Sequence, residues 1–143
     1  MKKILLSTLL VLALFAGVTS RAFAGDLETM SGQWSIKGTN DNGDTYTATI
    51  EFKKDKFTFR MMDSEKKTFL YAKGDIKLDK CNDLKTIKFT NIQGGQSADD
   101  LNPVDDDRSG IYVLDGDSLT IALNFDHFRD KGPRIDVYTK AKD

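Results

Sequence analysis

The chain has 143 residues, with 21 Lys and Arg against 22 Asp and Glu, for a formal net charge of −1 at pH 7. This balance lacks a basic excess, which argues against nucleic acid or an anionic membrane as the main partner. Cys81 is the only cysteine, so an intramolecular disulfide is excluded and core packing must stabilise a single small domain.

The first 24 residues have the features of an export signal. The chain opens on Met1-Lys2-Lys3, residues 4–18 are almost entirely apolar, and Ala22-Phe23-Ala24 supplies the small residues that a signal peptidase recognises. The apolar run is shorter than the about 20 residues of a membrane span. We therefore expect cleavage after Ala24 rather than an uncleaved anchor. The product is an exported, periplasmic or secreted domain of residues 25–143 without an integral membrane span.

Cleavage after Ala24 would change the net charge of the protein and would leave no site for a lipid anchor. It removes three of the 21 basic residues and no acidic one, which leaves 18 against 22 and a formal charge of −4. No cysteine directly follows the cut, so a lipid anchor is not expected. A lone cysteine such as Cys81 is more typical of a small apolar filler than of a reactive thiol.

A β-hairpin over residues 110–125 is the clearest local pattern. Two alternating runs flank Asp115-Gly116-Asp117-Ser118, and Asp-Gly between such runs is typical of a tight hairpin turn. In the second run the apolar side chains all point the same way, because side chains alternate between the faces of a strand: Leu119, Ile121, Leu123 and Phe125. One face is thus predicted to pack in a core.

The same alternation recurs along the rest of the domain. It predicts strands over residues 32–38, 45–52, 57–62, 68–78, 84–92 and 134–140, in addition to the two strands of the hairpin. Gly74, near the middle of the fourth strand, predicts a bulge or bend in a curving sheet. No window shows a helical period over three or more turns, although residues 26–31 have room for a short helical turn.

Eight short strands joined in sequence predict an all-β fold. We expect an eight-stranded antiparallel up-and-down β-barrel, because closure removes exposed sheet edges. A two-sheet sandwich is the alternative, but it needs several long crossover connections. Only residues 93–109 are long enough for one.

Residues 93–109 are predicted to form a long acidic loop. They include Asp99-Asp100 and Asp105-Asp106-Asp107, and clustered carboxylates suit hard cations. The spacing matches no EF-hand loop, and consecutive aspartates cannot all face one ion, so we predict no metal site. The loop is instead a solvated segment that covers the barrel mouth or contacts a partner.

The sequence offers little for catalysis. His127 is the sole histidine and lies in a predicted loop, where neighbouring Asp126 or Asp130 would have to complete a base. No nucleophile elbow, zinc-protease motif or phosphate-binding glycine loop is present. We therefore predict no enzyme, no cofactor and no metal.

Two parts of the chain resemble a known family. Gly32-Gln33-Trp34 resembles the Gly-x-Trp signature of lipocalins and related calycins. Residues 73–79, 85–89 and 110–120 are similar to the small bacterial lipocalin-like domains abundant in planctomycetes. The positions that carry the likeness are Gly32, Trp34, Gly74, Gly110, Tyr112, Asp115, Gly116, Asp117 and Arg134.

The resemblance implies a lipocalin-like barrel that holds a small apolar ligand in its mouth. It also implies that Trp34 lies at the closed end beneath Arg134, in a cation–π contact. The chain departs from the family pattern in two places: Pro133 precedes Arg134 where the family usually has Arg-Pro, and Ile76 replaces a frequent Tyr.

Two functional hypotheses follow. The first is an exported binding protein for a small hydrophobic or amphipathic ligand held in the barrel, with a site lined by Tyr46, Phe59, Met61, Met62 and Tyr71. The second is a protein-interaction module, such as an inhibitor of an envelope or extracellular enzyme, in which the acidic residues 93–109 contact a basic partner. A cavity in the barrel favours the first, and a solid core favours the second.

Overall fold

A computed structural model describes residues 19–126 and 131–142. Most of the predicted signal (residues 1–18) and the sole histidine, His127, lie outside the described residues. Within them one helix precedes nine strands: α1 Thr19–Met30, β1 Gly32–Thr39, β2 Thr45–Lys53, β3 Lys56–Met62, β4 Thr68–Cys81, β5 Leu84–Ser97, β6 Asp100–Pro103, β7 Arg108–Asp115, β8 Ser118–Leu123 and β9 Arg134–Lys140.

The strands form a closed barrel. Each of β1 to β5 pairs with the next, β5 pairs with β7, β7 with β8, β8 with β9, and β9 returns to β1, all antiparallel. This confirms the predicted eight-stranded up-and-down barrel. Strand β6 is an addition that pairs only with β5.

Alternation explains how the barrel forms its core. Trp34, Ile50 and Phe59 are register partners across β1, β2 and β3 and face inward, whereas their neighbours along each strand face out. The predicted turn in the β7–β8 hairpin is also confirmed: Asp115 pairs with Ser118, and Gly116 between them has a positive φ of 57°.

Gly74 lies at the predicted irregularity. The register between β4 and β5 shifts between Lys73 and Asp75, and Asn91 on the partner strand has a positive φ of 49°. A Cβ at Gly74 would lie 2.6 Å from the Thr90 carbonyl oxygen and 2.9 Å from a Phe57 ring carbon. Only glycine allows the backbones to approach this closely at the bulge.

The prediction of a structureless loop over residues 93–109 is wrong. Strand β5 continues to Ser97, β6 folds back on it, and β7 begins at Arg108, so only residues 98–99 and 104–107 lie outside strands. Residues 93–95 of the β5–β6 hairpin still pair with β4, but none of the side chains in the hairpin is buried. Its residues therefore lack the apolar alternation on which the sequence reading relied.

Helix α1 is also longer than the short turn predicted for residues 26–31. It begins at Thr19, so its first half belongs to the predicted signal and its second half to the domain. Among the residues described, no helix is long and apolar enough to cross a bilayer.

Candidate functional site

Helix α1 covers one end of the barrel, here called the closed end. Met30 and Trp34 are both 0% exposed there, and Trp34 Nε1 donates a hydrogen bond to the Met30 carbonyl oxygen at 2.7 Å. Phe23 and Leu27 of the helix pack against the same core. The signature tryptophan thus anchors the helix to the first strand.

The cation over Trp34 is Lys140 and not Arg134, so the predicted Trp34–Arg134 contact is wrong. Lys140 is the register partner of Trp34, and its Nζ lies 5.2 Å from the ring centroid and 2.9 Å from the Thr29 carbonyl oxygen. Arg134 begins β9 six residues earlier, about 20 Å away along an extended strand. It pairs in register with Leu123 at the opposite end of the barrel, here called the mouth.

A second contact ties α1 to the closed end. Asp26 Oδ2 accepts hydrogen bonds from the Tyr112 hydroxyl at 2.6 Å and from Lys85 Nζ at 2.8 Å. Burial opposes the charged carboxylate, but the two hydrogen bonds outweigh it and lower the pKa of Asp26. Burial and the neighbouring Asp26 raise the pKa of the Tyr112 hydroxyl.

The Asp26 contact predicts a pH dependence. The folded chain keeps this carboxylate charged to lower pH than the unfolded chain, so its stabilisation is present above the unfolded pKa of about 3.9 and is lost as the pH falls through the folded value. We expect Asp26→Asn to lower the free energy of unfolding by about 1 kcal/mol at pH 7. The deficit should shrink as the pH falls and Asp26 becomes protonated in the folded chain.

Urea unfolding of the two proteins between pH 2 and pH 7 measures this difference. Asp79→Asn is the matched control, because Asp79 accepts only an exposed backbone hydrogen bond from Lys80. A deficit of Asp26→Asn that stays constant down to pH 2 would contradict the assigned charge.

The half of the barrel next to the closed end is filled with side chains. Phe57 and Phe89 pack edge to face, with centroids 4.9 Å apart and planes at 83°. The other members of this core are also less than 10% exposed: Met30, Trp34, Ile50, Phe52, Ile76, Leu78, Ile87, Tyr112, Leu119, Ile121 and Tyr138. Such packing leaves a ligand no place near the closed end.

Three of the five predicted ligand-binding residues face the interior in the mouth half. Phe59 packs at the edge of the core, and Met61 lies beside it as the register partner of Ala48. Tyr46 is the register partner of Gly38, and its ring lies so close that a Cβ at Gly38 would be 2.4 Å from it. All three are half-buried rather than sealed.

The other two predicted residues, Met62 and Tyr71, do not belong to this group. Met62 pairs with Thr47 and Tyr71 pairs with Arg60, in rows that alternate with the inward ones. Both side chains therefore lie on the outer face of the barrel and cannot line an interior site. A register shift between Met61 and Met62 marks where β3 leaves its regular pairing with β4.

The mouth also contains polar residues that the sequence reading did not assign to it. Arg134, Asp136 and Tyr138 share the inward face of β9, because Tyr138 pairs with the buried Leu119. Arg134 Nη2 lies 2.6 Å from Asp136 Oδ2, and burial together with Asp136 raises the pKa of Tyr138. The Asp136 oxygen is shielded from solvent and accepts no hydrogen bond of good geometry.

A second polar pair lies beside this group. Arg108 Nη1 donates a hydrogen bond to the buried Asn124 Oδ1 at 3.1 Å, and Arg108 also forms an ion pair with Asp106 at 3.0 Å. Alternation in the sequence does not show which face of β9 is buried. The register does: Lys140 pairs with Trp34 and Tyr138 with Leu119, so Arg134 and Asp136 share their inward face, and Ile135 and Val137 point outward.

A shallow groove of about 440 Å³ lies outside the barrel, across β4, β5, β7 and β8. Its walls include Lys77, Lys88, Ile111 and Phe125. Within residues 19–126 and 131–142, no group of three or more His, Cys, Asp or Glu is arranged to hold a metal ion. Cys81 is exposed at the end of β4, so the expectation of a buried filler is wrong.

The chain was compared with protein-family models, curated proteins and solved structures, and none of them matches it. The closed eight-stranded antiparallel barrel is consistent with a lipocalin-like fold.

Proposed function

We propose that this protein is an exported lipocalin-like binding protein that holds one small amphipathic ligand in the mouth half of its barrel. We also assign it to the bacterial lipocalin-like domains that its Gly-x-Trp strand and its β7–β8 hairpin resemble. An eight-stranded barrel is either filled by side chains or holds about one small molecule, and we place the ligand in the mouth half because the half next to α1 is filled.

The supporting observation is a contrast between the two ends of the barrel interior. Near α1 the inward side chains are sealed, as in Trp34 and Leu119 at 0% exposure. At the mouth the inward side chains Tyr46, Phe59 and Met61 are half-buried, and apolar groups in this state gain most from a ligand that covers them. The site is therefore shallow and lies above a solid core.

The polar residues of the mouth favour an amphipathic ligand over a pure hydrocarbon. A hydrocarbon that covered Arg134 and Asp136 would remove their exposed charged atoms from water without replacing the hydrogen bonds that water makes to them, which is costly. The guanidinium of the Arg134 side chain, which is 44% exposed beside Asp136, suits a hydroxyl or carbonyl oxygen on the ligand. The apolar part of that ligand would lie against Phe59 and Met61.

The inhibitor hypothesis has weaker support. It needs the acidic charge of residues 93–109 to be available to a basic partner. Asp106 instead forms an ion pair with Arg108, and Asp107 with Lys88, both at 3.0 Å. Part of the acidic charge is thus already neutralised within the chain, and we do not propose this function.

Adjacent methionines on opposite faces of β3 allow a matched test with a neutral fluorescent probe, N-phenyl-1-naphthylamine, and with dodecanol as competitor. Met61→Arg places a charge in the proposed site and should weaken binding by about tenfold or more. Met62→Arg places the same charge on the outer face and should leave binding within about twofold.

Equal affinities of the two variants, or no binding of either probe to the parent protein, would refute the proposal. Emission from Trp34, the sole tryptophan, verifies that each variant keeps its folded core. Native mass spectrometry of protein isolated from its own host should also show a co-purifying molecule in the parent and less of it in Met61→Arg.

A further inference from the structure

The outer face of β7, β8 and β9 is unusually apolar for a surface in contact with water. The register aligns its side chains in two rows. One row is Ile111, Ala122 and Ile135, and the other is Val113, Thr120 and Val137. No charged residue interrupts either row.

The opposite outer face of the barrel provides a comparison within the same chain. Outward rows across β1, β2 and β3 contain Ser35, Thr49 and Arg60, and Lys37, Thr47 and Met62. That face is polar and charged, as expected of a sheet face in water. The apolar face of β7–β9 is therefore a local feature and not a property of the whole barrel surface.

We propose that the outer face of β7, β8 and β9 is the interface of a symmetric homodimer. Its large side chains are well exposed, with Val113 at 57%, Ile135 at 64% and Val137 at 51%; Ile111 is 37% exposed, and Phe125 at the mouth end of β8 is 58% exposed. Burying β-branched side chains of this kind against a second copy removes their contact with water.

The size of the face fits a dimer. With roughly 150–250 Å² for a large side chain, these exposed fractions amount to about 450 Å² of apolar surface. A stable interface buries about 800 Å² on each partner, and homodimer interfaces are about 65% apolar. The apolar face supplies about half of that area, and the residues around it would supply the rest.

The face is also self-complementary in shape. The first row has the small Ala122 on β8 between Ile111 and Ile135, which leaves a valley on β8, whereas Thr120 in the second row is about as large as the valines beside it. A two-fold axis parallel to the strands and between β8 and β9 places Ile135 in the valley over the partner's Ala122 and Val137 against the partner's Thr120. The contact is made twice, once on each copy, as in the packing of two sheets about 10 Å apart.

A second copy fits this face better than a lipid surface does. Proteins that lie on membranes combine apolar side chains with Lys and Arg that contact anionic headgroups. The two rows contain no cation, and the chain has a net negative charge. A partner with the same flat apolar face and no charge to satisfy is the simplest match.

Sedimentation equilibrium of the purified protein tests the proposal. We expect a dimer at a protein concentration of about 100 µM, because a specific interface should hold two copies together at that concentration. Val137→Asp and Ile135→Asp should each shift the mass to that of a monomer, because a buried unpaired charge is costly. Thr47→Asp, a side chain of similar shape on the polar outer face, should leave the dimer intact.

A monomeric parent protein at that concentration would overturn the proposal, and so would a Val137→Asp protein that still dimerises. Thermal unfolding by circular dichroism verifies that each variant is folded. If the aspartate variants fail to fold, Val137→Lys replaces them as the variant that should be monomeric.

Ala122→Phe distinguishes the contribution of shape complementarity to dimerisation from that of apolar area. It adds apolar area but fills the valley that receives the partner's Ile135, so the ridge-and-valley arrangement predicts at least tenfold weaker dimerisation. Stronger dimerisation of Ala122→Phe would overturn that arrangement and indicate unspecific apolar association.

Discussion

Trp34→Ala is expected to lower the free energy of unfolding by about 4 kcal/mol. Trp34 is 0% exposed and sits where α1, β1 and β9 meet. Its removal leaves a cavity, deprives the Met30 carbonyl of its donor and removes the ring beneath Lys140. A small domain has only about 5–15 kcal/mol in total, so the variant should be marginally stable.

Urea unfolding followed by far-ultraviolet circular dichroism measures this loss. Trp34→Phe keeps an aromatic ring but no N–H donor, and we expect it to lose about half as much. Lys140→Met removes the cation over the ring and its hydrogen bond to the Thr29 carbonyl, and should lose about 0.5–2 kcal/mol. A loss below about 2 kcal/mol for Trp34→Ala would mean that the closed end is not the stabilising centre inferred from its burial.

Tyr112→Ala is expected to lower the free energy of unfolding by about 3–5 kcal/mol. Tyr112 is 1% exposed, and its hydroxyl donates to Asp26 on α1. The substitution therefore opens a cavity in the core and removes one of the two donors to Asp26 on the helix. Tyr112→Phe keeps the ring and should lose only about 1–2 kcal/mol.

A double-mutant cycle isolates the contact between Tyr112 and Asp26. If the hydroxyl acts through Asp26, Tyr112→Phe should lose much less in the Asp26→Asn background than in the parent protein. Additive losses in the double variant would show that the hydroxyl acts independently of the carboxylate. Lys85 also pairs with Asp26. Lys85→Met, alone and combined with Asp26→Asn, measures that second contact in the same way.

The barrel could be predicted because each of its strands is specified by a short stretch of sequence. Alternation in residues 45–52 and 110–125 and the Asp-Gly turn depend on neighbours within a few positions, and the structure keeps them. The strands in residues 93–109 were not predicted from alternation, because none of the residues in the β5–β6 hairpin is buried and apolar residues therefore do not alternate there. Helix α1 was missed because half of it coincides with the predicted export signal.

The candidate site was predicted only in part. Tyr46, Phe59 and Met61 face inward, but Met62 and Tyr71 lie outside because the register of β3 and β4 sets their face. Arg134 and Asp136 were not expected inside, since the apolar members of β9 are Ile135 and Val137. A shift of one residue in register moves every side chain of a strand to the opposite face of the sheet. Alternation in the sequence alone does not show which of the two faces is buried.

The sequence by itself determined the number of barrel strands, the position of the tight turn, the need for glycine at the bulge and the presence of an aromatic anchor on the first strand. These follow from side-chain alternation and backbone sterics, which act over a few residues. Tertiary structure alone decided that Lys140 and not Arg134 covers Trp34, that polar groups face into the mouth and that an apolar face remains outside. Those outcomes depend on how β9 meets β1 when the barrel closes, a pairing between residues about 100 positions apart in the chain.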